Sequence, residues 1–383
     1  MIHQQPFFRS LEKVHIFLDK NQHIWLLRLR RPLCRYGTAG NPFAKGVVCF
    51  DVGVCSLDAF TSTYWKRGVA PCIMSAVGAK PYSIPVHEFQ KHVEAELQKT
   101  IEPQLAELER INTALVKELY IPQNQFAQQK NRYLNVLPSK NHRVKLKALP
   151  NVPDSDYINA SNVANLATGA KQAYIATQAP VPAAIADFWR MVWEQNSALV
   201  LMLTKEEENS MNKAHLYWSE DTKEPQTYGD IKVLFVSKDD TNEDGVISRE
   251  FTISRGSESR KITQLQFVTW PDHGVPKEFE HFLALFRKYR DIRSQIPVNG
   301  GPIVVHCSAG VGRTGTFIAV DSILDSVDAG EKKIDVCDVV AKLRTSRPSS
   351  IQTRDQYEFI YKFIAYVLAN KGNKAGFLLP KLR

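Results

Sequence analysis

The chain has 383 residues, a formal net charge of +9 and six cysteines. Its 44% apolar and 23% charged content is typical of a globular protein that buries a substantial core. Its N-terminal apolar runs are much shorter than the roughly 20 residues that a membrane span requires. Cys34, Cys49, Cys55 and Cys72 lack the Cys-x-x-Cys spacing of a zinc site. Cysteine usage therefore favours a reducing compartment, and we expect a cytoplasmic protein without a secretory signal.

The first 73 residues differ from the rest of the chain. They hold ten lysines and arginines against four acidic residues, and so carry +6 of the +9 charge. Two short apolar runs, 24–29 and 46–54, lie in a stretch without sustained periodicity. We expect a basic N-terminal extension that is poorly ordered or not part of the native product, with Met74 as the natural start. A nucleic-acid or lipid-binding arm is disfavoured because the arginines at 28–31 are one small cluster. A structural or adaptor role for the extension stays open.

Residues 88–372 read as one domain, followed by a C-terminal tail over 373–383. The predicted helices span 87–118, 277–295, 334–345 and 354–370, and the predicted strands span 198–203, 231–237, 247–254 and 261–269. The polar stretch 239–245 has the composition of a hairpin connection. Strands mixed with helices on both sides predict an α/β domain around a twisted mixed β-sheet flanked by helices.

One segment in this domain carries the clearest chemistry. His306-Cys307-Ser308-Ala309-Gly310-Val311-Gly312-Arg313 places five residues between a cysteine and an arginine around a glycine-rich turn. A short predicted strand precedes it, and apolar residues from Phe317 to Val327 recur at helical spacing after it. The turn therefore lies at a helix start, where unpaired N–H groups and the helix dipole favour an anion.

The residue types in this turn predict a phosphate-binding site with a nucleophile. A helix N-terminus and a nearby cation favour the thiolate form of a cysteine, so we expect Cys307 to be nucleophilic. Arg313 presents a planar fork that can grip two oxygens of a phosphoryl group. A Walker-type nucleotide loop is disfavoured. Gly310 and Gly315 have its spacing, but Thr316 stands where that motif requires lysine.

This segment resembles the signature loop of the cysteine-dependent protein tyrosine phosphatases, and further motifs resemble the same family in chain order. Asn131-Arg132-Tyr133 resembles its phosphotyrosine-recognition loop, and Trp270-Pro271-Asp272-His273-Gly274 resembles its mobile acid loop, 35 residues before the cysteine. Residues 156–161 and 174–180 resemble two scaffold motifs, and 351–356 resembles the glutamine loop. The organisation is similar to that of tyrosine-specific, non-receptor, single-domain members of protist type.

The resemblance implies a set of catalytic residues. Cys307 is the nucleophile, Arg313 holds the phosphoryl oxygens, and Asp272 is the general acid that protonates the leaving tyrosine. Thr314 supplies a hydroxyl that assists breakdown of the cysteinyl-phosphate. Gln352 positions the water that hydrolyses this intermediate. The implied reaction is hydrolysis of phosphotyrosine in proteins.

The resemblance also implies a set of substrate-binding residues. Tyr133 stacks on the substrate ring with Val136 at its other side, and the resulting depth excludes the shorter phosphoserine. Asn135 stands where many members carry a substrate-clamping aspartate, so a weaker peptide clamp is expected. Leu134 removes any basic contribution to recognition of acidic flanking sequence. The remaining positions implied to bind substrate are Ser308, Ala309, Gly310, Val311, Gly312 and Gln356.

Supporting roles fall on four residues: His306, Glu208, Lys213 and Trp270. Glu208 is implied to pair with Arg313, and Lys213 to lie near the acid loop. A solvated charge run is an equal alternative for Glu208, because Glu206 and Glu207 adjoin it.

No metal and no cofactor is implied. The expected partners are phosphotyrosine-containing proteins, with no nucleic acid and no membrane span, and the expected state is a monomer. A dual-specificity or phosphoinositide phosphatase would share the loop, but Ala309 and Val311 supply no loop lysines for a polyanionic head group. A phosphotyrosine-binding pseudoenzyme would use the same pocket without turnover.

Overall fold

A computed structural model divides the chain into two compact units, residues 1–79 and 80–383. Within the first unit the backbone is described for three strands, β1 (Val14–Leu18), β2 (Ile24–Arg28) and β3 (Asp51–Cys55). They pair as an antiparallel sheet in the order β1-β2-β3. In the second unit the described residues run from 82 to 370, except for 166–168, 170–171, 242–243, 272–273 and 298–299. The predicted tail over 373–383 therefore lies outside the described residues.

The second unit alternates helices and strands. Its described helices are α1 (Phe89–Ala95), α2 (Leu97–Leu115), α3 (Gln125–Gln128), α4 (Ile185–Glu194), α5 (Phe279–Gln295), α6 (Gly312–Asp328), α7 (Val336–Ser346) and α8 (Arg354–Asn370). Its described strands are β4 (Ile84–Pro85), β5 (Arg143–Lys145), β6 (Tyr157–Val163), β7 (Tyr174–Thr177), β8 (Leu199–Met202), β9 (Glu207–Glu208), β10 (Met211–Asn212), β11 (Gln226–Tyr228), β12 (Ile231–Asp239), β13 (Val246–Arg255), β14 (Glu258–Phe267), β15 (Ile303–His306) and β16 (Lys333–Ile334).

Nine strands form one mixed sheet in the order β11-β12-β13-β14-β8-β15-β7-β6-β5. The four central strands β14, β8, β15 and β7 run parallel, and the outer pairs are antiparallel. The predicted α/β class with a twisted mixed sheet flanked by helices is confirmed. The hairpin predicted over 239–245 joins the antiparallel strands β12 and β13.

Side-chain alternation along the central strands divides the core into two layers. On β15, Val305 packs in the cluster that holds Phe282, Phe317 and Phe363, whereas its neighbour Val304 packs in the cluster that holds Trp189. This is the two-residue period of a strand that is buried on both faces. Helix α4 covers one face and helices α5, α6 and α8 contribute to the other. Each fully buried large apolar side chain contributes about 1.5–3 kcal/mol relative to exposure.

One predicted helix is divided in the structure. The pattern predicts a single helical stretch over 87–118, but a 3-10 turn (Val86–Glu88) is followed by α1 and then by α2. The helix breaks at Glu96, where φ is −120° and ψ is −18°. The Glu96 carboxylate contacts Lys99 and adds negative charge at the start of α2, where the helix dipole favours it. No proline or glycine marks this break in the sequence.

Candidate active site

The carboxyl ends of the four parallel strands meet at one edge of the sheet. The cysteine segment follows β15, the acid-loop tryptophan follows β14, and the segments after β8 and β7 lie between and beside them. Ligands bind outside the carboxyl ends of parallel strands in α/β sheets. The sheet therefore brings segments that are far apart in sequence to one crevice.

The segment after β15 closes around the side chain of Cys307. The sulfur is buried, with 5% of the residue exposed, and the backbone N–H of Gly310 donates to Sγ at 3.3 Å. Gly310 has a φ of +73°, the left-handed region that glycine adopts without strain. Helix α6 begins at Gly312, directly after the turn. Successive amide groups at such a turn and helix start form an anion-binding concavity.

The arginine of this loop is fixed by a buried carboxylate. Arg313 Nη1 and Nη2 donate to Glu208 Oε1 and Oε2, each at 2.7 Å. Glu208 also accepts hydrogen bonds from Thr204 Oγ1 at 3.0 Å and from the Lys205 backbone N–H at 3.2 Å. The same guanidinium donates to the carbonyl of Pro271 in the acid-loop segment at 3.2 Å. Bidentate pairing holds the guanidinium plane in one orientation beside the cysteine loop.

The recognition segment stands over the loop through Tyr133. Its hydroxyl lies 2.9 Å from Ser308 Oγ, and the residue is 38% exposed. Gln178, which follows β7, holds this segment from below. Its Oε1 accepts from the Arg132 backbone N–H at 2.9 Å, and its Nε2 donates to the Lys130 carbonyl at 2.7 Å. Gln178, at the end of β7, thus sets the position of Tyr133, which forms the aromatic wall of the pocket.

A pair of asparagines orders the rest of the recognition segment. Asn131 Oδ1 accepts from Tyr157 OH at 2.6 Å and from Asn159 Nδ2 at 2.8 Å. Asn159 Nδ2 also donates to the carbonyl of Val136 at 2.8 Å. Asn135 is exposed and therefore open to a peptide main chain.

Arg347 braces the cysteine loop from behind. It is 1% exposed, and its guanidinium donates to the carbonyls of Gly310 and Ala309 at 3.3 and 3.1 Å. It also donates to Asn159 Oδ1 at 2.7 Å. Burial lowers the pKa of Arg347 to about 10, so the side chain stays charged at neutral pH. The carbonyls of Gly310 and Ala309 point toward Arg347. The backbone N–H groups of the cysteine loop therefore face the opposite side, where an anion can bind.

A buried hydrogen-bonded relay fixes the residue before the nucleophile. Gln264 Nε2 donates to Tyr217 OH at 2.7 Å, and that hydroxyl lies 2.9 Å from His306 Nε2. His306 Nδ1 lies 3.1 Å from the carbonyl of Cys307. Because a carbonyl can only accept, Nδ1 carries the proton and Nε2 accepts from the tyrosine. Burial lowers the pKa of His306 to about 4, which keeps this tautomer neutral.

The glutamine segment covers the start of α6. Gln352 is exposed and Gln356 is buried, and the Gln352 backbone N–H donates to Gln356 Oε1 at 2.9 Å. A Cβ at Gly312 would meet Gln352 Oε1 at 2.9 Å and Gln356 Nε2 at 3.0 Å. Both amides therefore approach the loop closely. Thr314 Oγ1 is buried and has no hydrogen-bond partner among the described residues.

The acid-loop segment is described on both sides of its centre. Trp270 is buried, with its ring 5.5 Å from that of Phe282, and its Nε1 donates to the Gly274 carbonyl at 3.2 Å. Asp272, the predicted general acid, lies outside the described residues. Lys213 is half-buried and its backbone N–H donates to the Glu206 carbonyl at 2.8 Å.

Of the remaining loop positions, Val311 is buried and precedes α6, while Ser308 and Ala309 are partly exposed at the pocket side. Within the described part of the chain, no group of three His, Cys, Asp or Glu side chains is arranged to hold a metal ion. The described site therefore consists of a thiol, amides, a guanidinium and an aromatic wall.

Several residues at this site carry no sequence signal of their own. Gln178, Tyr217 and Gln264 act through side-chain hydrogen bonds to residues far away in the chain. Only the scaffold motif around 174–180, which contains Gln178, pointed to one of them.

The fold and the site together define a cysteine-dependent phosphoryl-binding enzyme class, and comparison with known proteins gives the family. Residues 127–366 match the protein-tyrosine phosphatase family, and the chain belongs to it. It is 44% identical to mouse receptor-type tyrosine-protein phosphatase F (Mus musculus) over 236 residues, which is 61% of this chain and 12% of that protein. It is 43% identical to receptor-type tyrosine-protein phosphatase S of Gallus gallus over 243 residues, 63% of this chain and 15% of that protein.

A third relative is receptor-type tyrosine-protein phosphatase eta of Mus musculus, 41% identical over 257 residues, 65% of this chain and 20% of that protein. The chain thus spans 12% to 20% of the length of these three relatives. Among the residues that the structure describes, no helix is both long and apolar enough to cross a bilayer.

Proposed function

We propose that this chain hydrolyses phosphotyrosine in proteins through a cysteinyl-phosphate intermediate. One observation carries the proposal. The Arg313 guanidinium, held bidentately by Glu208, stands at the start of α6 on the same loop as the buried Cys307 sulfur, which accepts an amide hydrogen bond. That arrangement presents a nucleophile and two kinds of oxygen-binding donor to one phosphoryl group.

The first step transfers the phosphoryl group to sulfur. The Cys307 thiolate attacks phosphorus in line, so an S–P bond forms as the bond from phosphorus to the tyrosine oxygen breaks. Asp272 delivers a proton to that oxygen, an effect worth about 10² to 10⁴ in rate. Arg313 and the loop amides hold the three remaining oxygens as charge redistributes.

The second step releases phosphate. Water positioned by Gln352 attacks phosphorus, its proton passes to the Asp272 carboxylate, and the S–P bond breaks to restore the thiolate. Thr314 Oγ1, which is buried without a described partner, is suited to donate a hydrogen bond to the departing sulfur. Neither step requires a metal ion.

The choice of substrate depends on Tyr133, at the side of the pocket, rather than on the cysteine loop at its bottom. Tyr133 stands over the loop with its hydroxyl against Ser308, so a phosphorylated side chain must span the length of an aromatic ring to reach the sulfur. Phosphotyrosine has that length and phosphoserine does not. We therefore propose tyrosine specificity. The non-receptor, single-domain, protist and monomeric features stay predictions, as do the cytoplasmic location expected from cysteine usage and the role of residues 1–73.

The test is hydrolysis of p-nitrophenyl phosphate and of a phosphotyrosine peptide under reducing, mildly acidic conditions. Cys307→Ser should abolish turnover and retain peptide binding, and Asp272→Ala should slow turnover severely and trap substrate. Cys337→Ala is the matched control because Cys337 is also a free and buried cysteine but lies on α7 instead of in this loop. Peptide binding by a wild-type protein that hydrolyses neither compound would indicate a pseudoenzyme instead.

A further inference from the structure

The side chain of Arg132 ties the recognition segment to two other parts of the domain. Its Nε donates to the Ala179 carbonyl at 3.1 Å and its Nη2 to the Pro180 carbonyl at 3.3 Å, both just after β7. Its Nη1 donates to Asn212 Oδ1 at 3.2 Å and to the Asn212 carbonyl at 3.3 Å, at the end of β10. Arg132, which directly precedes Tyr133, therefore links the recognition segment to the β9–β10 hairpin about 80 positions later in the chain.

The shortest guanidinium contact of Arg132 is to a histidine. Its Nη2 lies 2.8 Å from Nδ1 of His215. An arginine has no acceptor, so Nδ1 must present its lone pair and the ring proton must lie on Nε2. A protonated imidazole would place two cations at this distance and lose the hydrogen bond. Burial and the charge of Arg132 both lower the pKa of His215, which agrees with a neutral ring.

The position of this contact links it to substrate recognition. Arg132 immediately precedes Tyr133, and its backbone N–H is held by Gln178. The backbone of Arg132 is therefore fixed from the β7 side, and its side chain is held both from the β7 side and from the β9–β10 side. Among the described residues, the contact that remains to Nη2 without His215 is the longer one to Pro180.

We propose that His215 is a positioning residue for phosphotyrosine binding: its neutral imidazole accepts a hydrogen bond from Arg132 and so holds the Tyr133 wall over the cysteine loop. The proposal rests on the proposed function and assigns a role to a residue outside the nucleophile, the phosphate-binding arginine and the acid. It predicts an effect on binding of the tyrosine ring and none on the phosphoryl chemistry.

Three substitutions at His215 test whether the hydrogen-bond acceptor or the imidazole ring itself is required. In His215→Asn the side-chain oxygen stands as many bonds from the backbone as Nδ1, so an acceptor is kept. His215→Ala removes the acceptor, and His215→Lys replaces it with a permanent cation. His281→Ala, at a half-buried histidine on α5, is the matched control. Thermal unfolding of each variant establishes that it is folded.

The kinetic readout is the split between KM and kcat for a phosphotyrosine peptide. We expect His215→Ala to raise KM about five- to tenfold, with kcat changed less than about twofold. This is less than the full value of a charge-assisted hydrogen bond, because Arg132 keeps its contacts to Ala179, Pro180 and Asn212. His215→Lys should raise KM further, and His215→Asn should stay near the wild-type value. Inhibition by inorganic phosphate, which contacts only the floor of the pocket, should be the same in all variants. An unchanged KM in His215→Ala, or equal losses in the Asn and Ala variants, would overturn the proposal.

A second readout does not depend on turnover. Hydrogen exchange measured by mass spectrometry should be faster across residues 130–137 in His215→Ala and His215→Lys, and unchanged in His215→Asn and His281→Ala. Equal exchange in all variants would refute the role of His215. Failure of the wild-type protein to hydrolyse any aryl phosphate would instead refute the proposed function, and exchange would still decide the role of His215.

Discussion

Gly310 and Thr177 approach each other more closely than any other residue type at 310 would allow. A Cβ built on Gly310 falls 2.1 Å from the Thr177 carbonyl oxygen, at the carboxyl end of β7. The loop that surrounds the sulfur is therefore packed directly against the neighbouring parallel strand, and its shape depends on the absence of one methyl group.

We expect Gly310→Ala to lose nearly all activity and several kcal/mol of folding stability, because the loop must move away from β7. Gly256→Ala is the matched control. Gly256 also has a positive φ, +59°, but nothing lies within 4 Å of its added Cβ. That variant should lose only the backbone cost of about 1–2 kcal/mol and keep full kcat. Chemical denaturation and steady-state kinetics of both variants test this, and equal losses in the two would contradict the steric account.

Glu208→Gln should lower kcat/KM by about ten- to a hundredfold, because a neutral amide cannot accept both N–H groups of the Arg313 fork. The variant also leaves the partly buried Arg313 guanidinium with less compensation, at a cost of up to about 3 kcal/mol. Glu207→Gln is the control, since this neighbour on β9 is exposed. Kinetics with p-nitrophenyl phosphate report the effect. The buried pair excludes a solvated charge run at Glu208, so equal activity of the two variants would show that catalysis does not require the pair.

Leu134→Arg should improve binding of phosphotyrosine peptides with acidic flanking residues. Leu134 is 79% exposed beside the Tyr133 wall, so the substitution needs no repacking. An exposed pair contributes about 0.2–1 kcal/mol, so KM for acidic peptides should fall up to about fivefold at low salt and return at high salt. Val236→Arg, on the exposed side of β12, adds the same charge elsewhere. A similar gain in that control would indicate general attraction rather than a contact at the rim.

Peroxide should inactivate the protein reversibly by oxidising the Cys307 thiolate to a sulfenic acid, with peroxide reduced to water. Dithiothreitol should restore activity. The comparison within the chain is Cys337, because burial, with a smaller contribution from Asp335, raises the pKa of its thiol to about 12. Mass spectrometry after brief exposure should find Cys307 modified and Cys337 unmodified. Preferential modification of Cys337 would argue against a reactive Cys307.

Folding stability should depend on His306 below neutral pH. The folded-state pKa of about 4 lies below the ordinary value of 6.5, so the unfolded chain binds the proton more tightly. The contribution of His306 is therefore complete above pH 6.5 and is lost as pH falls toward 4, about 2 kcal/mol of it by pH 5. Histidine NMR should find one ring that stays neutral to about pH 4. A ring that titrates near 6.5 at this position would contradict the buried relay.

The sequence predicted the fold well where periodicity and burial coincide. The predicted bounds of β13, 247–254, lie within one residue of the observed Val246–Arg255, because side chains alternate along the strand and the polar hairpin 239–245 marks its start. The division of the first long helix at Glu96 was missed, because no residue that disfavours a helix stands there. Packing of α1 and α2 against different neighbours decides the break, and packing is a property of the whole domain.

The candidate site, like the fold, could be predicted from the sequence only in part. Cys307 and Arg313 were recognisable because they lie within one short turn, whereas the Arg132–His215 hydrogen bond joins residues 83 positions apart. A histidine in a polar stretch is most simply explained as a surface residue. Only the fold shows that the hairpin carrying it returns to the recognition segment.

The hydrogen bonds of the Gln178 amide separate the attachment of the recognition segment from the residues that can select a peptide. Because one side chain at the end of β7 bonds the backbone on both sides of Asn131, the scaffold sets the height of Tyr133 above the cysteine loop. The exposed positions just beyond it, Leu134 and Asn135, take no part in that attachment. A library randomised at these two codons should therefore yield catalysts with altered target sequences and an intact hydrolytic centre.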